Sequence, residues 1–156
     1  MTMLRSIMAG ALAVTLATAC SDSTAPEDVT ADDLVGSWRA TAATFTPDGG
    51  TPVDLLAGGS SIVVVMLPSG ESYTFVFTDP SIGDEAEHGS YSVSAGVLTL
   101  TASSVFPAPG EIPGPRTFDI VSLVGDILTL SDPDAVEDDV TGTLSLVLQR
   151  QESVGD

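Results

Sequence analysis

Lysine is absent from the sequence, and the four arginines, Arg5, Arg39, Arg116 and Arg150, stand against 22 acidic residues for a formal net charge of −18. A surface of that sign repels polyanions, which excludes nucleic acid as a partner. The charge is read as a means of staying soluble in a salty or periplasmic medium rather than as the footprint of one cationic partner. Cysteine occurs once and histidine once, so there is no internal disulfide and no histidine-rich metal centre. Aromatics are scarce at 5%, while Val, Leu, Thr, Ser and Gly are plentiful, a mixture that favours strands over helices. With 156 residues there is room for one ordinary domain and not for two.

A long apolar run is also lacking. Ile7 to Ala17 is apolar apart from Thr15, which matches the core of an export signal and is too short to span a bilayer. Arg5 supplies the preceding positive charge. Leu16-Ala17-Thr18-Ala19-Cys20 follows and resembles the lipobox of bacterial lipoproteins, with Ala17 where that pattern usually has leucine. The resemblance implies cleavage before Cys20, acylation of Cys20 and attachment to the membrane. Ser21 after the cysteine implies the outer rather than the inner membrane. The competing reading is an ordinary secretory signal cut at the same place, leaving Cys20 as a free thiol. Residues 1–19 are therefore expected to be a signal peptide. Residues 20–30, polar and rich in Ser, Asp, Thr, Pro and Glu, are expected to be an acylated flexible tether, residues 31–152 the folded domain, and 153–156 a tail.

Thr30 with Asp33 three places on is a capping signal for one short helical turn. Beyond it, strands are expected near 36–46, 60–67, 71–78, 88–94, 97–102, 116–123, 126–131 and 140–150, most with two-residue alternation. Tyr73, Phe75 and Phe77 alternate with Ser72, Thr74 and Val76, and Leu144, Leu146 and Leu148 alternate with Ser145, Val147 and Gln149. One-sided alternation of this kind describes an antiparallel sheet around a single core. Tight turns at Pro68-Ser69-Gly70, Ala95-Gly96 and Val124-Gly125 alternate with expected long loops at 47–59, 79–87, 103–115 and 132–139. An eight-stranded up-and-down barrel puts the tight turns at one end and the long loops at the other. A two-sheet sandwich is compatible with the same strand count, and the alternation of loop lengths favours the barrel.

Gly36-Ser37-Trp38 opens the first strand and Arg150 ends the last. This pair resembles the glycine-x-tryptophan signature and closing arginine of the lipocalins. Gly89-Ser90-Tyr91-Ser92-Val93, followed by Gly96-Val97-Leu98-Thr99-Leu100, is similar to a hairpin of bacterial lipocalin-like domains. The resemblance covers about residues 32–151. It implies an all-β, eight-stranded antiparallel up-and-down barrel in which Arg150 lies across the Trp38 ring at the closed end.

Catalytic machinery is not expected. His88 is read as a solvated turn histidine at a loop-to-strand junction. Asp132, Asp134, Glu137 and Asp138 would suit calcium by ligand type, but they lack the order of a calcium loop and are read first as a solvated acidic segment. Of the 22 acids, twelve (Asp48, Asp54, Asp79, Asp84, Glu85, Glu87, Glu111, Asp132, Asp134, Glu137, Asp138 and Asp139) fall in the four expected long loops, where no arginine lies. A ligand entering there is expected to be neutral or cationic. Pro107, Pro109, Pro113 and Pro115 make the loop at 103–115 either a lid over the mouth or a stiff surface loop.

Two functions follow. The first is a membrane-anchored envelope protein, expected to be monomeric and to need no cofactor, that binds a small apolar ligand against Met66, Tyr73, Phe75, Phe77, Tyr91, Leu98 and Phe106. The second is a filled barrel acting through its acidic loops as an interaction or inhibitor module.

Overall fold

A computed structural model describes residues 23–24, 26–68, 72–107, 112–137 and 139–152. Ten strands run in chain order: β1 (Ser23–Thr24), β2 (Gly36–Pro47), β3 (Val53–Asp54), β4 (Ser61–Leu67), β5 (Ser72–Asp79), β6 (Gly83–Ser94), β7 (Val97–Phe106), β8 (Arg116–Val124), β9 (Ile127–Glu137) and β10 (Val140–Arg150). Apart from the two-residue β1 and β3, each strand pairs antiparallel with its sequence neighbour, and β10 pairs with β2. The ring closes as an eight-stranded up-and-down barrel and not as a sandwich. Closure pairs each of those eight strands on both sides over part of its length, so backbone groups there find partners within the wall, while β7 beyond Leu100 and β9 beyond Ser131 run past the pairing with β8.

The barrel is solid at one end. Trp38, Leu34, Met66, Leu98, Leu128 and Leu148 are fully buried, and they cluster with Val64, Tyr91, Phe118 and Ile120. The interior alternation then loosens along each strand. Leu148 and Leu146 are buried but Leu144 only partly; Leu98 and Leu100 are buried but Ala102 only partly; Tyr73 is buried while Phe75 and Phe77 are half-buried. The inward row is thus tightly packed beside the tight turns and opens toward the other connections.

Two of the four expected long loops are mostly strand, and a third begins as one. The segment 79–87 reduces to residues 80–82 because β5 and β6 stay paired out to Asp79 and Gly83. Ser103 to Phe106 extend β7, and Asp132 to Glu137 extend β9. Their acid, glycine and proline content argued for loops, but continuous ladder pairing with a neighbour outweighs weak local propensity. Pro133 is tolerated because the β9–β10 register slips between Gly142 and Leu144, which relieves it of a ladder hydrogen bond. The connection 48–60 remains long, carrying β3 against β2 and a 3-10 turn at Ala57–Gly59.

The N-terminal segment also differs from expectation. Ser23 and Thr24 pair with Val124 and Leu123 of β8, Pro26–Asp28 form a 3-10 turn, and Val29 is buried in the main core. One apolar side chain and a strip of backbone pairing suffice to dock a segment whose composition argued for a free tether. Cys20, the signal segment, Asp138 and the tail at 153–156 lie outside the described residues.

Candidate functional site

The closed end is locked by one arginine. The expected turn forms at Asp32–Leu34, where the Asp33 carboxylate accepts from the Thr30 backbone N–H at 2.8 Å and hydroxyl at 2.7 Å. These bonds hold the Asp33 carboxyl below its ordinary range. Leu34 then plugs the barrel, and its carbonyl accepts from Trp38 Nε1 at 2.8 Å. The Arg150 guanidinium lies 4.2 Å from the centre of the Trp38 ring. It donates to the Val35 carbonyl and, at 2.7 Å, to that of Asp33, and it stands 3.5 Å from Asp126. Gly36 is required here: its φ is +138°, and a Cβ would sit 2.9 Å from an Arg150 terminal nitrogen. The glycine, tryptophan and arginine singled out in the sequence therefore meet in one contact set.

The open end holds a second arginine in a different setting. Arg116 starts β8 on the same face as the buried Phe118 and Ile120, so its side chain turns inward. One terminal nitrogen donates to both Glu87 oxygens, at 2.7 and 2.8 Å, and the guanidinium lies 5.3 Å from the centre of the Phe75 ring. Tyr73 donates its hydroxyl to the same carboxylate. Burial, then that hydrogen bond and the carboxylate charge, push the Tyr73 phenol well above its ordinary pKa. Gly89 makes room for the cluster, since a Cβ there would lie 2.8 Å from the Tyr73 ring and 2.1 Å from the Thr101 carbonyl oxygen.

Above this cluster is a cavity of about 390 Å³ walled by Phe75, Phe77, Glu85, Glu87, Val105, Phe106, Pro107, Pro113 and Arg116. A second hollow of about 400 Å³ shares Pro113 and Arg116 and extends along Phe118, Val136, Glu137 and Leu144. Each falls within the size range of small-molecule sites. Three expected ligand contacts, Phe75, Phe77 and Phe106, line the first cavity. Met66, Tyr91 and Leu98 do not, because they are packed in the closed half, and Tyr73 lies beneath the cavity with its hydroxyl on Glu87. Pro107 and Pro113 from the proline-rich connection form part of the wall.

Glu87 corrects the picture of the rim. It was counted among twelve loop acids, but it is a buried strand residue neutralised by Arg116. Two-residue alternation through Glu87, Gly89 and Tyr91 carried the signal, and the acid-rich composition around Glu87 masked it. Asp132, Asp134 and Glu137 lie along β9 rather than in a loop, and no group of three or more metal-ligating side chains occurs among the described residues. His88 lies within β6, exposed, with Nδ1 2.9 Å from the Thr74 hydroxyl, and not at the junction expected for it. No described helix is long and apolar enough to cross a membrane.

No protein-family profile matches the sequence, and no curated protein does. Solved structures do show similarity. A lipocalin-like protein from Bacteroides uniformis is 19% identical, with 76% of this chain and 99% of that one covered at a TM-score of 0.49. An uncharacterized protein from Bacteroides eggerthii is 18% identical, with 75% and 98% covered at 0.46. A protein from M. tuberculosis is 22% identical, with 76% and 93% covered at 0.38.

Proposed function

We propose that the chain is an exported lipoprotein, anchored to the outer membrane through acylated Cys20, whose lipocalin-like barrel binds a small apolar ligand, neutral or cationic, in its open half. The observation that carries the binding reading is the contrast along the barrel axis: a filled closed half beneath a cavity of about 390 Å³ walled by three phenylalanines. A barrel serving only as a scaffold has no need to leave Phe75 and Phe77 half-covered on an inward row. The Gly36, Trp38 and Arg150 lock supports the lipocalin-like reading. The lipobox-like segment ending at Cys20 supports the anchor. The protein acts as a monomeric binding protein rather than an enzyme.

Native mass spectrometry of protein taken gently from the envelope tests the binding reading. A stoichiometric neutral or cationic adduct is expected, and stoichiometric fatty acid would refute it. Cys20→Ala is expected to move the protein from the membrane fraction to the soluble one and to abolish lipid labelling; unchanged membrane association would end the lipoprotein reading.

A second reading, an interaction module, draws support from the rim. Val53, Ile82, Phe106, Ile112, Val136 and Val140 are exposed large apolar residues on the connections or strand ends at the open end, interleaved with Asp54, Asp84, Glu85, Glu137 and Asp139. An envelope protein recovered without ligand but with a protein crosslinked through this rim would favour it.

A further inference from the structure

The two charged side chains in the cavity wall that touch each other constrain what the cavity accepts. Arg116 is the natural anchor for an anionic ligand at this end, yet the structure gives its charge to Glu87 through a single terminal nitrogen. The carboxylate is in turn completed by the Tyr73 hydroxyl. Glu87 is therefore satisfied as an acceptor, and a ligand cation gains little from it. The guanidinium is not saturated as a donor. Its Nε is buried with no hydrogen-bond partner, its side chain keeps 33% exposure, and it borders both hollows. An arginine carries five N–H donors in a fixed fork; with Nε buried and one terminal nitrogen serving Glu87, the other terminal nitrogen is the donor left to a ligand.

Resting on the cavity-binding reading above, we infer that the ligand is a neutral apolar molecule carrying a hydrogen-bond acceptor, such as a ketone, ester or ether oxygen, that accepts from Arg116 while its apolar body lies against Phe75, Phe77 and Phe106. A carboxylate is disfavoured twice: the Arg116 charge is already neutralised within the site, and Glu85 stands exposed at the lip. A plain alkane gains the apolar contacts and forgoes the hydrogen bond. Burying the guanidinium donors beneath such a body without an acceptor carries a desolvation cost. The Glu87–Arg116 pair thus sets specificity: it keeps the floor polar and uncharged overall.

The experiment uses the purified full chain, with the neutral fluorophore N-phenyl-1-naphthylamine as reporter and 2-undecanone, undecane and undecanoic acid as competitors of equal carbon number. In the unmodified protein the ketone is expected to displace the reporter at about one-tenth the concentration the alkane or the acid requires, as for one charge-assisted hydrogen bond. Glu87→Gln releases the Arg116 charge, and the order is expected to invert in favour of the acid. The double variant Glu87→Gln with Arg116→Met removes the donors without stranding a charge, and ketone and alkane are then expected to compete equally. Failure of the reporter to bind the unmodified protein would defeat the cavity-binding reading itself. Reporter binding with the three competitors equal, or with the acid preferred, would overturn the neutral-acceptor inference alone. The competitor order in the unmodified protein decides this even if a variant fails to fold.

Discussion

Two arginines sit at opposite ends of the same barrel, each against an aromatic ring, and they do different work. Arg150 lies 4.2 Å from Trp38 and donates to backbone carbonyls of the segment that plugs the closed end. Arg116 lies 5.3 Å from Phe75 and is tied to a carboxylate at the edge of a cavity. Carbonyls are fixed by the fold, so an arginine that caps them welds chain segments together. A carboxylate is a side chain with its own charge to cancel, so an arginine that meets one settles the local charge and leaves the surrounding shape open. The contrast shows that an inward arginine in a small barrel is not a functional marker by itself; its acceptor tells which task it has.

That contrast breaks most readily at the closed end. Trp38→Ala removes a ring with no exposed surface and is expected to cost about 3–5 kcal/mol in urea unfolding. Arg150→Ala is expected to be strongly non-additive with it, with a coupling of about 1–2 kcal/mol in a double-mutant cycle. Additive effects would mean that the stacking contributes nothing. Gly89→Ala drives a methyl into the Tyr73 ring and the Thr101 carbonyl, and a loss on the order of 2 kcal/mol is expected, readable as a lowered melting temperature. At the open end, Glu87→Gln breaks a partly buried pair whose arginine side chain keeps 33% exposure. The expected cost there is about 1–3 kcal/mol, with much of it regained when Arg116→Met is added. Phe106→Ala brings the smallest change. At 64% exposure its truncation is expected to shift stability by no more than about 0.5 kcal/mol, while reporter affinity falls. A large stability loss would place Phe106 in the core and erase the distinction between the halves.

The closed end was far more legible in the sequence than the open end, for a physical reason. Packing at Trp38, Leu98, Leu100, Leu146 and Leu148 demands apolar side chains at strict two-residue spacing, and that spacing survives in the sequence as a clean pattern. Gly36 was singled out by the glycine-x-tryptophan resemblance, and Arg150 by that resemblance and by its two-residue spacing from Leu144, Leu146 and Leu148. At the open end the same period continues through Glu85, Glu87 and Asp132, but with polar residues on the faces, where period and composition disagree. Composition argued for loops, and the ladders decided for strands. The inward turn of Arg116 was missed, although Phe118 and Ile120, two and four residues on, carry its spacing. Its partner was not legible, because a pair 29 residues apart is set by closure of the wall and leaves no local trace. Ser23, Thr24 and Val29 dock on the strength of tertiary contacts that a polar segment does not advertise.

The docked N-terminal segment bears on where the mouth points. Among the described residues, pairing begins at Ser23 against Val124 beside the closed end, only three residues after Cys20 in sequence, a span of about 10 Å at most. On the proposed acylation of Cys20, the closed end is held against the bilayer as a cup is held by its base. The eleven residues of β10, tilted as barrel strands are, place the opening roughly 25–30 Å farther out. On that proposed anchoring, the cup faces the aqueous compartment and not the lipid to which it is fastened. On the same reading, cargo enters from solution or from whatever stands across the gap, and a molecule dissolved in the anchoring leaflet has to leave it before it can be caught.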